Sequence, residues 1–466
     1  MFEKLHIKTG TYKIERLLIR TLITYKDDMK RTLSNTSPRN SLQPAYLQSI
    51  DKENIQPNSS INEQHAKVSP QFSEKPSLDK SNIFPETPTS VDHLEASNLR
   101  LINPITENNH PPLLTDELYV QLVEPLSKQD FETAIRIAGV SSLQKLYELT
   151  NQDQETLLII ATQDGDTEVV KALLSKLSNP DSFARMQDNY GYTALMHAVR
   201  TNNTELIIAL LSSVSDRDRL ACMKDHENHT ALMHAAVANE PKLITTLLSM
   251  LKNPEALAFM ADEVGMTALM HAVYHDCPES IIALLTSARN GRQLAFMKNK
   301  DDFNALMLAA IYNNTYCIQA ILDNVKNPEE LVYFPNNDGK TALMICCSNE
   351  SGLEFNPNGL IMMLQTVKNI RNPDSLIFLT DINGMNAFMI AAKEKNDLAV
   401  ATLFHWTTDK LALLKEKDKN ETIALNLLDP VLCNELIRLL VRNFMPIDSL
   451  DADAVLSLLQ QRVQFH

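Results

Sequence analysis

The hexapeptide Thr193-Ala-Leu-Met-His-Ala198 decides the fold, because it returns at fixed intervals along the chain. Identical copies begin at Thr230 and Thr267, and looser copies begin at Thr156, Asn304, Thr341, Asn386 and Thr422. Successive copies start 37, 37, 37, 37, 37, 45 and 36 residues apart. Such a period is typical of repeat proteins, in which each unit buries its apolar face against the next. We therefore predict eight stacked units.

Each copy opens a pair of predicted helices. Thr193 can cap a helix, because its side-chain oxygen accepts an unpaired backbone N–H. Leu195 two places later and the small Ala198 five places later favour closely packed helices. Nine places after the cap stand residue types that tolerate a left-handed backbone, namely Gly165, Asn202, Asn239, Asp276 and Asn313. A second apolar run then predicts the partner helix, and Asn-Pro pairs at 179, 253, 327 and 372 predict a short helix between units.

The repeated segment resembles the ankyrin repeat family. The family pattern D-x-x-G-x-T-P-L-H-x-A-A compares with residues 188–199, DNYGYTALMHAV. Ala194 replaces the family's Pro, Met196 replaces its His, and His197 falls one place later. The resemblance implies an all-α ankyrin-repeat solenoid of about eight helix pairs at 151–440. It also implies projecting turns and protein binding along a concave face.

The turn before each first helix supplies the predicted contacts with a partner. A turn-forming residue such as Gly191 stands at one position of every unit, while the next position varies and is often bulky, as in Tyr192. Constant geometry with variable side chains suits a recognition surface, although packing between neighbouring turns is the alternative. The predicted partner-binding residues are Tyr190, Tyr192, His197, His229, His234, Met266, His271, Phe303 and Met385.

The flanking segments differ from the repeats in composition. Residues 1–33 suit a basic amphipathic helix or tail, and the Pro-, Ser- and Asn-rich residues 34–112 are predicted to be disordered. Residues 441–466 are predicted to form a C-terminal capping helix and tail, and residues 113–150 a helical N-terminal cap. The latter segment also has the spacing of an F-box, which would dock a ubiquitin-ligase adaptor through Leu114, Glu117, Leu118 and Leu126.

Enzymatic and metal chemistry find little support in the sequence. Nucleotide-binding loops and nucleophile elbows need clustered glycine, and the chain has only ten glycines. His197, His234 and His271 stand at one position of successive units and should form a ladder with one rung per repeat. Metal ligands must all lie ~2 Å from one ion, which a ladder does not easily allow, so we predict no metal site. We likewise predict no cofactor and no enzyme activity, except that an unrecognised catalytic site in the flanking segments is left open.

Charge and composition restrict the partners. A net charge of −15 argues against nucleic acid, and no apolar run approaches the ~20 residues that span a membrane. The six cysteines include no C-x-x-C pair and favour a reducing compartment, so we expect a cytoplasmic protein. We also expect it to be a monomer. The TALMHA variant and the apolar Val463 and Phe465 resemble ankyrin effectors that intracellular bacteria inject into the host cytosol. A eukaryotic-type cytosolic scaffold or F-box-like adaptor is the alternative.

Overall fold

The computed structural model describes residues 113–433 and residue 436, apart from residues 178, 349–356 and 369–371. The predictions for residues 1–33, 34–112 and 441–466 lie outside the described residues. The end of the predicted repeat region, after residue 436, lies outside them as well.

The described part is helical, as predicted, and repeats a pattern of three helices. The first helices are α4 Leu157–Gln163, α7 Ala194–Arg200, α10 Ala231–Val237, α13 Ala268–Tyr274, α16 Ala305–Ile311, α19 Ala342–Cys347 and α22 Ala387–Lys393. The second helices are α5 Thr167–Lys176, α8 Thr204–Ser213, α11 Pro241–Met250, α14 Pro278–Ser287, α17 Thr315–Asn324, α20 Pro357–Lys368 and α23 Asp397–Trp406. The short third helices are α6 Pro180–Ala184, α9 Arg217–Ala221, α12 Pro254–Ala258, α15 Gly291–Phe296, α18 Pro328–Tyr333, α21 Asp374–Ile377 and α24 Lys410–Lys415.

Three further helices precede this array and one follows it. The N-terminal helices are α1 Asp116–Ser127, α2 Phe131–Ala138 and α3 Leu143–Tyr147, and α25 Ala424–Leu427 opens the last described unit. Helix α1 packs on α5, and the hydroxyl of Tyr119 donates to Asp166 at 2.9 Å. The hydroxyl of Tyr147 donates to the carbonyl of Leu173 at 3.0 Å. These contacts join α1 and α3 to the first repeat.

The first helices begin where the repeated Thr or Asn predicts. The side chain of Thr193 accepts the N–H of Met196 at 3.4 Å, and that of Asn386 accepts the N–H of Met389 at 2.9 Å. In the last unit the predicted start at Thr422 is wrong by one residue. Ile423 stands directly before α25 and bridges to Lys417, as Asn386 bridges to Thr380. An isoleucine cannot cap a helix, so the sequence match moved to the neighbouring threonine.

One continuous apolar core runs through the stacked units. Each first helix packs on the first helices before and after it, and each second helix packs on its own counterparts. The anchors Leu195, Leu232 and Leu269 are fully buried, as are the small residues Ala198 and Ala235. A small side chain at this place lets neighbouring helices approach closely. Because it recurs in each unit, the same close packing recurs from unit to unit.

Asn304 provides a test of the capping position. Its Oδ1 accepts the N–H of Met307 at 2.9 Å, whereas its buried Nδ2 has no hydrogen-bond partner among the described residues. An unpaired buried donor costs ~1–3 kcal/mol. Asn304→Thr keeps a cap and replaces the unpaired amide by the smaller hydroxyl that caps most other units, so we expect it to raise the free energy of unfolding by about 1 kcal/mol in urea titrations. Asn304→Ala, which also loses the cap, should be less stable than Asn304→Thr, and equal stability of those two variants would contradict the assignment.

Candidate protein-binding surface

Each first helix is preceded by a tight turn held by one acidic or amide side chain. Asp188 Oδ1 accepts the N–H groups of Tyr190 and Tyr192 at 2.9 and 2.8 Å. Gly191 stands between them with φ +82°, a left-handed backbone that glycine adopts without strain. The same pair of hydrogen bonds recurs at Asn151, Asp225, Asp262, Asn299, Asn336, Asp381 and Asp418.

Backbone hydrogen bonds connect several of these turns to the turn of the next unit. The N–H of His226 donates to the carbonyl of Tyr190 at 3.1 Å, and the N–H of Lys300 donates to that of Val264 at 3.0 Å. Equivalent bonds join Asn189 to Asp153, Ile382 to Asp338 and Lys419 to Asn383. Because these bonds involve the backbone, they hold the turns in register whatever side chains the turns carry.

The bulky residues of the turns form two rows with different exposure. The outer row stands two places after the Asp or Asn that holds each turn, and its side chains face solvent. Tyr190 and Val264 in this row have 63% and 55% of their surface exposed. Four places after the Asp or Asn the side chain turns back toward the first helices. In this inner row Tyr192, His229 and Phe303 are partly buried, whereas Met266 and Met385 are buried and present little surface to a partner.

The three histidines of the ladder each pair with the acidic residue of their own turn. The distance from Nε2 of the histidine to Oδ2 of the aspartate is 2.9 Å for His197–Asp188, 2.8 Å for His234–Asp225 and 2.9 Å for His271–Asp262. One carboxylate therefore ties its turn, through Oδ1, to its first helix, through Oδ2. Burial lowers the pKa of His234 and His271, although the neighbouring carboxylates act in the opposite direction.

The sequence interpretation missed the aspartates that hold the turns and pair with the histidines. A signal was present, because Asp188, Asp225 and Asp262 each stand nine residues before a histidine. Where asparagine holds the turn instead, at Asn299 and Asn336, the ninth residue is Leu308 or Ile345. Asparagine offers one carbonyl oxygen, which the turn uses, so it leaves no acceptor for an imidazole.

Rings fill the space between the inner row and the ladder. The centroid of Tyr192 lies 5.5 Å from that of His197 and 5.3 Å from that of His234, in the next unit. His229 takes the same place one unit later, 5.8 Å from His234 and 4.9 Å from His271. The guanidinium of Arg200 lies 5.1 Å from the Tyr192 centroid. Tyr192, His197, His229, His234 and His271 therefore form one continuous cluster of rings over three units.

The residues with F-box-like spacing are placed differently. Leu114 and Leu126 are buried in the core, Leu118 is partly buried, and Glu117 is exposed. Two of the three leucines therefore already pack within this chain and are not accessible to an adaptor.

The cysteines lack the properties of nucleophiles. Burial, and then Asp276 and Glu279, raise the pKa of the Cys277 thiol, and burial raises that of Cys346 to about 12. A protonated thiol is a weak nucleophile. Across the described ranges, no helix is both long enough and apolar enough to span a bilayer.

Comparison with known proteins identifies the repeat. Residues 131–219 match the family model for ankyrin repeats in three copies, and this match begins inside the segment that the sequence assigned to the cap. No curated protein matches the chain. Among solved structures, the ankyrin repeat domain of Bcl-3, described as a unique member of the IkappaB protein family, is similar at 19% identity and a TM-score of 0.44. That similarity covers 55% of this chain and 100% of that chain. With the matched repeats continuing in the same 37-residue register as far as α19, this chain is an ankyrin-repeat protein.

Proposed function

We propose that this protein is an adaptor that binds another protein on the surface formed by its turns and first helices. The observation that carries the proposal is the row of turns, several of them linked by backbone hydrogen bonds, which present variable side chains in constant positions. Such a row offers contiguous area for one partner, and bulky side chains within it make suitable anchors.

The contacts we propose combine both rows. Tyr190 projects from the outer row, while the partly buried Tyr192, His229, Phe303, His234 and His271 form the floor behind it. His197, predicted as a contact, is buried with 5% exposed and presents little surface to a partner. Met266 and Met385 are buried and add little surface to this floor. Exposed tips alternate between apolar and acidic side chains, with Tyr190 and Val264 apolar and Glu227 and Asp301 acidic. This pattern suits a partner segment that carries basic and apolar side chains, because acidic groups attract cations during encounter.

The proposal predicts that Tyr190→Ala weakens binding without unfolding the protein. Tyr190 is mostly exposed, so its loss should change stability by less than ~1 kcal/mol. Loss of an aromatic anchor should cost ~2 kcal/mol or more of binding free energy. Melting temperature and partner affinity measured side by side decide the result. Tyr192 is less suitable as a test, because it packs between two histidines.

A matched control lies on the second helix of the same unit. Ile208 is 48% exposed on α8, so Ile208→Ala tests an apolar surface residue away from the turns. A photo-crosslinking amino acid at position 190 should capture the partner, and the same group at position 208 should not. Equal capture from both positions, or normal binding by Tyr190→Ala, would place the partner elsewhere.

We further propose that the protein acts as a monomeric effector, exported by a bacterium into the host cytosol to bind a host protein. This part rests on the resemblance of the TALMHA repeats to injected ankyrin effectors. A reporter enzyme active only in host cytosol, fused to the chain and expressed in the source bacterium, should give signal in infected cells. No signal from a stable, expressed fusion would instead favour the scaffold alternative.

A further inference from the structure

The structure adds a fourth histidine to the ladder. Successive rungs, such as His234 and His271, belong to different repeats and do not by themselves converge on one point. His229 comes from the turn of one unit and lies between those two rungs, with its ring centroid 5.8 Å from that of His234 and 4.9 Å from that of His271. Nitrogen ligands from two successive repeats therefore meet at this position.

His229, Asp262 and His271 bring three possible ligand atoms close together, and His229 forms a second such group with Asp225 and His234. Asp262 Oδ2 lies 2.9 Å from His271 Nε2 and 3.8 Å from His229 Nε2. All three residues offer a ligand atom within 4.8 Å of the other two. Ligands ~2.0–2.1 Å from a tetrahedral zinc ion stand about 3.3 Å apart, and the two measured distances lie on either side of that value.

We propose that His229, Asp262 and His271 bind one divalent transition-metal ion of the zinc class, with water in the fourth position. Two imidazoles and a carboxylate are ligands that zinc accepts, whereas Mg²⁺ and Ca²⁺ prefer oxygen alone. The side chain of His229 is 24% exposed and that of Asp262 is 5% exposed, so the site lies at the edge of solvent. Metal binding here needs no partner protein, and the inference is independent of the proposed function.

The surrounding contacts already orient the ligands. Asp262 Oδ1 accepts the N–H groups of Val264 and Met266 at 2.9 and 2.8 Å, and Oδ2 pairs with His271 Nε2 at 2.9 Å. An ion bound here would replace the proton shared between Oδ2 and Nε2, with the His271 proton moving to Nδ1 or to solvent. Glu227 Oε2 lies 3.5 Å from His229 Nδ1, on the opposite side of the ring from the ligand nitrogen.

The neighbouring repeats show why the site occurs at this unit. Tyr192 takes the position of His229 one unit earlier, between His197 and His234, where a phenol replaces the imidazole. One unit later the position holds Met266, and the ladder position of the following unit holds Leu308. Among the described repeats, His229 is the one histidine that stands between two Asp–His pairs, and Tyr192 in the equivalent place serves as a control.

Titration of the full-length protein with Zn²⁺ alone tests the proposal. Isothermal titration calorimetry of the wild type should show one equivalent bound, and Co²⁺ in place of Zn²⁺ should give visible absorption of a tetrahedral nitrogen–oxygen site. His229→Tyr copies the residue of the preceding unit, so it should keep the fold and weaken the binding roughly 100-fold or more. His226→Tyr alters an exposed histidine of the same turn and should bind like the wild type.

A gain of function provides the reciprocal test. Tyr192→His should complete the equivalent triad with Asp225 and His234, so the stoichiometry should rise from one to two equivalents. If His229→Tyr unfolds, His271→Leu, which copies Leu308 of the next unit, replaces it as the loss variant. Unchanged affinity in a folded loss variant, no stoichiometric binding by the wild type, or one equivalent in Tyr192→His would overturn the proposal and leave the Asp–His pairs as hydrogen bonds alone.

Discussion

Replacing Leu232 by alanine should lower the free energy of unfolding by ~2–5 kcal/mol, the range for large-to-small changes in a packed core. Leu232 is fully buried in α10, which packs against α7 and α13 as well as against its own partner α11. The cavity would lie in the middle of the array, where the first helix packs against the first helices of both neighbouring repeats. Neighbouring units stabilise one another in a repeat protein, so the damage should spread beyond one repeat.

Urea denaturation followed by circular dichroism measures this effect. Val237 stands in the same helix but is 37% exposed, so Val237→Ala serves as the control and should change the free energy of unfolding by ~0.5 kcal/mol or less. A loss below ~1 kcal/mol for Leu232→Ala would contradict its place as a core anchor.

Gly191→Ala should lower the free energy of unfolding by about 2–4 kcal/mol, from two causes that add. Gly191 has φ +82°, which an alanine adopts only with strain. A Cβ at this position would also stand 2.7 Å from the backbone nitrogen of His226. That nitrogen donates to the carbonyl of Tyr190, so the added methyl would push apart two turns that this bond holds together.

The next repeat supplies the control for this change. Asn228 occupies the same turn position with φ +63°, and its side chain donates to Glu263 at 2.9 Å on the surface. Asn228→Gly keeps a residue suited to the left-handed region, so it should alter stability by ~0.5 kcal/mol or less. Thermal melting of both variants decides the matter, and a Gly191→Ala protein as stable as the wild type would show that the turns are not linked in this way.

The sequence by itself determined the features of the fold that depend on neighbouring residues. Capping by Thr193 involves an N–H three residues away, and the left-handed backbone at Asn202 and Asn239 depends on those residues themselves. Repetition amplified each local signal, because every unit carries it again. The same reliance on local chemistry misplaced the last unit, where Ile423 holds the capping position without being able to cap.

Only the tertiary structure decided how the candidate surface is built. The turn residues predicted as one group separate into an exposed row containing Tyr190 and an inner row containing Tyr192, because the two backbone positions point in different directions. His229 and Asp262 are 33 residues apart in sequence, and the distance between them is set by how one repeat stacks on the next. A periodic pattern predicts that equivalent residues form a row. Contacts between non-equivalent residues, such as His229 and Asp262, depend on the offset between adjacent units. Only the packing of those units determines that offset.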